Sequence, residues 1–445
     1  MKFNRITRNA LAAGMSLAVG LGLAACSRDY TAAYVYAVSS ATGSVSAFAV
    51  DYQTGVLTQL SGSPFASQFS NPISVVAAPT NKTIYVIGGT QNAEVEQYSI
   101  GSDGKIYAGN TYNITGTYPT GATVDPAGKF LYVTYTYETH VYNGTSADYG
   151  PGHPGPGGVT VFAINSDGTL GTPTNTNVGN NPAGIAVSVA TCTATPLLPG
   201  TTTGQIPCNV LGSGTTANNG YENVFAFVVD QEGSTFSPGA VPTLVTLVQN
   251  PTTGALSFTP QTTASLKTYQ GVNAGVQPSA VVVDPTGRFL YFTDAAQNEA
   301  FGFTIAYTTT GTIAPMRVSN NPVATGLYPV AITIEPRGKY AYIANYNSNT
   351  VSSFSIDPAS GNLGGTASVG NFAVSTAPSC VTVDPALGIY LYTSNRLDNS
   401  ISGGKLLPNT GQLNAVPNTP FQTFSQPSCL VAVSNGSHAS SILEQ

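Results

Sequence analysis

A turn signal, (Asp/Thr/Ser)-Gly-x-(Leu/Ile), recurs seven times in this chain, with its glycines at Gly55, Gly104, Gly168, Gly254, Gly311, Gly361 and Gly411. Glycine reaches positive φ without steric cost, which a tight hairpin demands, and the apolar residue two places on starts the next strand facing inward. The spacings are 49, 64, 86, 57, 50 and 50 residues. A period near 50 marks one supersecondary unit stacked repeatedly, so the length does not have to be divided among several domains.

Each unit reads as strands alone. An alternating strand precedes most turns, as in Val45-Ser-Ala-Phe-Ala-Val, Val159-Thr-Val-Phe-Ala-Ile and Val351-Ser-Ser-Phe-Ser-Ile. Upstream lies a second strand, as in Phe130-Leu-Tyr-Val, Phe289-Leu-Tyr-Phe and Tyr390-Leu-Tyr-Thr. Before it comes an almost wholly apolar strand that ends on Asp-Pro or Glu-Pro, as in Ala280-Val-Val-Val-Asp-Pro and Ala331-Ile-Thr-Ile-Glu-Pro. Proline cannot donate to a ladder, so it closes that strand. A four-stranded sheet cannot cover both its faces alone, but seven packed radially can. The most apolar strand is then expected innermost, covered on both sides.

The ends of the chain fit a closed ring. Ala33-Tyr-Val-Tyr-Ala-Val begins in mid-repeat, and Pro427-Ser-Cys-Leu-Val-Ala-Val supplies the inner strand that the first blade lacks. The expected fold is therefore all-β: a seven-bladed propeller of four-stranded antiparallel blades over 34–434, closed by its C-terminal strand. Closure removes the exposed sheet edge that invites aggregation. An open β-solenoid is the rival, but its repeats are shorter and would not leave complementary half-repeats. The two long spacings place insertions at about 134–158, after a second strand, and about 191–221, after an inner strand. Strand alternation puts them on opposite faces.

The first 25 residues read as an export leader. Lys2, Arg5 and Arg8 precede a Gly-rich apolar stretch too short to span a bilayer comfortably. Leu23-Ala24-Ala25-Cys26 looks like a lipobox, which makes Cys26 the expected lipidation site, with 26–33 as a tether and 435–445 as a tail. A plain signal peptide is the alternative. Four further cysteines suit an oxidising compartment. Cys192 and Cys208 flank the second insertion; Cys380 and Cys429 occupy one position in neighbouring repeats, in Ala-Pro-Ser-Cys and Gln-Pro-Ser-Cys. Pairs 192–208 and 380–429 are expected. No C-x-x-C pattern or calcium loop is present, and no metal or cofactor is expected.

The chain carries 14 basic and 20 acidic residues, and three of the basic ones lie in the leader. That balance argues against a nucleic-acid partner. Charged residues make up only 8 % of the chain, so neutral polar groups carry its solubility.

Asp125-Pro-Ala-Gly-Lys-Phe-Leu-Tyr-Val-Thr, Asp284-Pro-Thr-Gly-Arg-Phe-Leu-Tyr-Phe-Thr and Leu391-Tyr-Thr-Ser-Asn-Arg-Leu-Asp-Asn-Ser-Ile carry a family likeness. The repeat resembles the lactonase-type seven-bladed propellers, which include 6-phosphogluconolactonase-like proteins, and the related YVTN repeats. The resemblance implies ring-opening of lactones and places an active-site arginine at Arg396. It also implies a histidine at the start of an inner strand, where this chain reads Gln277-Pro-Ser-Ala.

Lactone hydrolysis needs a base and a group for the developing oxyanion. Arg396, Asp294 and Asn345 each end or follow a second strand, on the face of the first insertion with Glu138, His140, Asp148 and His153. Arg396, Glu138 and His140 are the catalytic candidates. Asp294, Asn345, Asn395, Tyr135 and Tyr137 are ligand-face candidates, and Tyr142 and Tyr149 add to a Tyr-rich insertion able to stack on sugars or peptides. Each could equally be ordinary loop polarity. Arg288 and Lys339 belong to the opposite face and read as structural. Three functions remain open: an envelope lipoprotein, expected to be monomeric, whose propeller face binds a glycan, peptide or envelope protein; a sugar-lactone hydrolase; and a structural envelope component.

Overall fold

The computed structural model describes residues 30–138, 156–188, 191–194, 204–207, 217–221, 224–232, 242–250, 252–258, 271–306, 312–315, 321–364 and 369–436. Cys26, His140, Asp148, Tyr142, Tyr149, His153 and Cys208 lie outside them, as does the side chain of Cys192. The described residues form eight antiparallel sheets and no α-helix. Seven sheets are blades. The eighth is a three-stranded sheet within the second insertion (Thr191–Ala194, Gly204–Pro207 and Ala217–Tyr221).

Blade 1 is built from both ends of the chain: Pro427–Ser434 inside, then Thr31–Ser39, Ser44–Asp51 and Leu57–Gln59. The closing pair is antiparallel, with Ala33 opposite Ser434 and Val38 opposite Cys429. Blades 2 to 7 follow in chain order, with inner strands Pro72–Ala77, Gly116–Val124, Pro182–Val187, Pro278–Val283, Pro329–Ile334 and Pro378–Val383. Each inner strand lies beside those of the two neighbouring blades, which makes the ring.

Burial corrects one expectation. The second strands are the fully buried ones, as in Phe289–Asp294, Tyr340–Asn345 and Tyr390–Asn395. The inner strands Pro278–Val283 and Pro329–Ile334 are partly exposed beyond their first residue. A second strand has sheet on both edges and neighbouring blades on both faces, whereas an inner strand borders the centre of the ring.

A belt of tyrosines joins blade to blade. The phenols of Tyr36, Tyr85, Tyr291, Tyr342 and Tyr392 donate to the carbonyls of Gly104, Gly168, Gly361, Gly411 and Gly55, at 2.6–2.9 Å. Each acceptor is the hairpin glycine of the next blade, and Tyr392 to Gly55 closes the circle. These glycines are needed twice over. Gly55 has φ 73°, and a Cβ there would stand 2.3 Å from the ring of Tyr390.

The Asp-Pro turns are held by buried carboxylates. Asp284 accepts the amides of Arg288 and Phe289 at 2.7 and 2.6 Å, and Asp384 those of Leu387, Ile389 and Tyr390. Arg288 lies over the Phe289 ring and bonds Thr286, and the backbone amide of Lys339 donates to Glu335. Cys380 and Cys429 form a disulfide, with Cα atoms 4.9 Å apart, between the inner strands of blades 7 and 1.

Candidate binding site at the mouth of the ring

Every inner strand begins with or soon reaches a proline: Pro72, Pro119, Pro182, Pro278, Pro329, Pro378 and Pro427. The ladder to the second strand slips by one residue at this point in every blade. Such a bulge re-aims the extra side chain. At four bulges that side chain is a hydroxyl that donates across to the next blade. Thr120, Ser279, Ser379 and Ser428 bond the carbonyls of Pro182, Pro329, Pro427 and Pro72 at 2.5–3.0 Å. Blade 4 has Ala183 here, and Gln231 Nε2 bonds Pro278 O instead, at 3.0 Å.

Left-handed asparagines fix the loops that form the rim. Asn298, Asn349 and Asn399 have φ of 59°, 55° and 50°. Their Oδ1 atoms accept the amides of Tyr328, Ala377 and Gln426, each the residue before a proline. Asparagine tolerates this conformation better than most residues. The residues facing the mouth are therefore presented by bonded backbone.

Within this rim, blades 3 to 6 enclose a recess of about 290 Å³. Its polar lining is Thr120, Asn181, Gln231, Gln277, Ser279 and Tyr328, and its apolar lining is Ala183, Ala295 and Val330. Gln277 Nε2 donates to the Tyr328 hydroxyl at 3.2 Å, and Asn181 Nδ2 to Gln231 Oε1 at 3.1 Å. Two edge-to-face tyrosine pairs stand on this face, Tyr118 with Tyr137 at 5.6 Å and Tyr328 with Tyr346 at 6.3 Å. This lining can exchange hydrogen bonds with hydroxyls and amides and offer an aromatic edge. Among the described residues, the recess lining includes no carboxylate and no imidazole.

The described site candidates read from the sequence fall at this end of the blades, but mostly beneath the mouth; His140 lies outside the described residues. Asp294 is fully buried, and its carboxylate accepts the amides of Val276, Gln277, Ala296 and Gln297. Asn345 and Asn395 are fully buried and donate to Thr350 and Ser352, and to Ser400 and Ser402. Tyr135 is buried within blade 3, where its phenol donates to Asn175, and burial pushes that phenol well above its ordinary range. Asp294, Asn345 and Asn395 each end a second strand that is buried along its whole length, and Tyr135 ends the buried part of the second strand of blade 3. Tyr137 is half-buried on the rim.

Glu138 turns to the outer strand of blade 3, accepting from Asn175 and Asn177. Arg396 belongs to blade 7. Its amide donates to Ala377 O at 2.9 Å, and its half-buried side chain has no hydrogen bond or ion pair with a described residue. The sequence thus named Arg396 and Glu138 together, and the structure puts them in different blades, neither lining the recess. No group of three or more His, Cys, Asp or Glu among the described residues could hold a metal ion. Gln231, Tyr328 and Tyr346 were missed, although each holds a fixed offset from an inner-strand proline or a second-strand end.

A family model described as lactonase, seven-bladed β-propeller, matches residues 32–188 and 242–383. No curated protein matches the chain. Among solved structures, a 6-phosphogluconolactonase candidate from Bacteroides fragilis is similar with TM-score 0.62 and 19 % identity, over 92 % of this chain and 99 % of that one. The periplasmic gluconolactonase of Pseudomonas aeruginosa is similar with TM-score 0.61 and 17 % identity, over 91 % and 99 %. At these identities the likeness establishes the fold and leaves the chemistry to the site. Ring, repeat and family match agree: the chain belongs to the lactonase family of seven-bladed β-propellers.

Proposed function

We propose that this protein is an exported, lipid-anchored propeller of the bacterial envelope that binds a neutral polar ligand at its mouth without turning it over. The observation that carries the reading is the recess lining, six uncharged hydroxyl and amide side chains with a tyrosine edge. Such a lining matches a hydroxyl-rich sugar or an amide-rich peptide.

Calorimetry against neutral sugars and short peptides, with wild type and a Gln277→Ala/Tyr328→Ala variant, tests the site. The reading expects binding that this variant loses by tenfold or more, on the order of 1.4 kcal/mol. Binding that the variant keeps, or no binding at all, would contradict it. Cys26→Ser should move the protein from membranes to the soluble fraction, and unchanged fractionation would remove the anchor.

The second reading is a lactone hydrolase. Arg396, whose side chain has no hydrogen bond or ion pair with a described residue, favours it, as does the family's name. A panel of sugar lactones assayed with wild type and Arg396→Ala separates the two. Turnover that depends on Arg396 supports the enzyme; equal rates remove it.

A further inference from the structure

Of the five large apolar side chains among the described residues that are more than half exposed, four lie on one face: Val276, Leu327, Leu397 and Phe424, at 57, 55, 60 and 55 %. The fifth, Tyr107, sits in the outer strand of blade 2. Single exposed apolar residues are ordinary, but a cluster on one face marks an interaction site. These four follow each other along the rim from blade 5 to the entry of blade 1. Hydrogen bonds link their loops in that order. Gln277, beside Val276, bonds Tyr328, beside Leu327. Leu327 O accepts the amide of Asn347, and Asn349 holds Val374 and Ala377. Ala377 O accepts the amide of Arg396, beside Leu397. Asn399 then holds Thr423 and Gln426, on either side of Phe424.

We propose that this arc is a docking surface for a protein segment that brings large apolar side chains flanking a carboxylate. Charge fixes the occupant. Arg396 lies in the middle of the arc and has no acidic partner among the described residues. Arg288, Arg337 and Lys339 belong to turns at the other end of the blades. The nearby Asp398 accepts a hydrogen bond from Ser400 and makes no ion pair with Arg396, and a chain of net charge −6 repels acidic segments elsewhere, so the guanidinium beside Leu397 selects for a carboxylate in one register. Asparagine-held loops present the arc in one conformation, which lowers the ordering cost of binding. The arc stands on exposed apolar residues, and the recess reading can fail without it.

The test is selection from a random peptide display library on the intact purified chain. The inference expects a consensus of apolar residues around Asp or Glu. Leu327→Ser/Leu397→Ser should weaken the selected peptides at least about tenfold. Arg396→Glu should lose them and gain their Lys counterparts, a charge swap that a misfolded variant cannot give. Circular dichroism checks that both variants keep the fold. A consensus without acid, equal binding to both variants, or no selected peptide would overturn the inference. So would sedimentation as a dimer that Leu397→Asp breaks, or binding of the same arc to anionic lipid vesicles; either would assign it a different occupant.

Discussion

The seam between blades 7 and 1 and the seam between blades 3 and 4 are built from the same repeat, yet one is over-bonded and the other is short of a bond. At the first, Tyr392 donates to Gly55, Ser379 donates to Pro427, and the Cys380–Cys429 disulfide ties the inner strands. At the second, Tyr132 holds the position of Tyr392, but its buried phenol oxygen has no partner among the described residues. At the next seam blade 4 offers Phe227, which has no hydroxyl to give. The bonds concentrate where the chain ends must meet, and lapse in the two blades that carry the insertions. The repeat therefore supplies a frame, and local chemistry decides how tightly each seam is held.

The belt as a whole should fail first in alkali. Burial pushes the phenols of Tyr36, Tyr291, Tyr342 and Tyr392 far above their ordinary range. A raised folded value means the protonated form is favoured in the fold. Its stabilisation is complete below the unfolded value, about pH 10, and is lost as pH rises beyond it. Cooperative unfolding should accompany phenolate absorbance above that pH. Smooth titration with the fold intact would contradict the belt.

Cutting the disulfide should unbalance the seams next. It closes a loop of 49 residues, and its loss should cost roughly 4 kcal/mol in denaturant unfolding. A loss below about 1 kcal/mol would mean that the blade 7–1 seam does not need it. Gly55→Ala should cost roughly 2–4 kcal/mol, since the new Cβ meets the Tyr390 ring and φ stays positive. The sharpest contrast is the smallest. Tyr392→Phe should cost about 1–2 kcal/mol, because a buried glycine carbonyl loses its donor. Tyr132→Phe should cost almost nothing, and equal losses for the pair would erase the difference between the seams.

The ring and its closure were legible because they rest on backbone conformation. Positive φ at Gly55 and Gly411, proline at strand ends and a missing inner strand all leave marks in the residues themselves. Cys380 and Cys429 were legible because they hold one repeat position in blades that adjoin. The site was less so. Asp294, Asn345 and Asn395 could be placed at the right end of the right strands. Their burial depends on the loops that fold over them, as Val276 and Gln277 do over Asp294, and pattern alone did not reveal that. The tyrosine belt had a visible signal, a Tyr at the same place in six second strands, five of which make the bond. Its partner is the carbonyl of the next repeat's hairpin glycine, and a glycine that marks a turn does not itself show that its carbonyl accepts a bond.

The central claim is that this mouth binds and does not hydrolyse. A pH-stat reads it directly, because opening a lactone ring with water yields a hydroxy acid and releases a proton. With a sugar lactone in excess over the purified protein, the account predicts acid release at the spontaneous rate, the same with Arg396→Ala. Acid release well above that rate, and lost with Arg396→Ala, would contradict it.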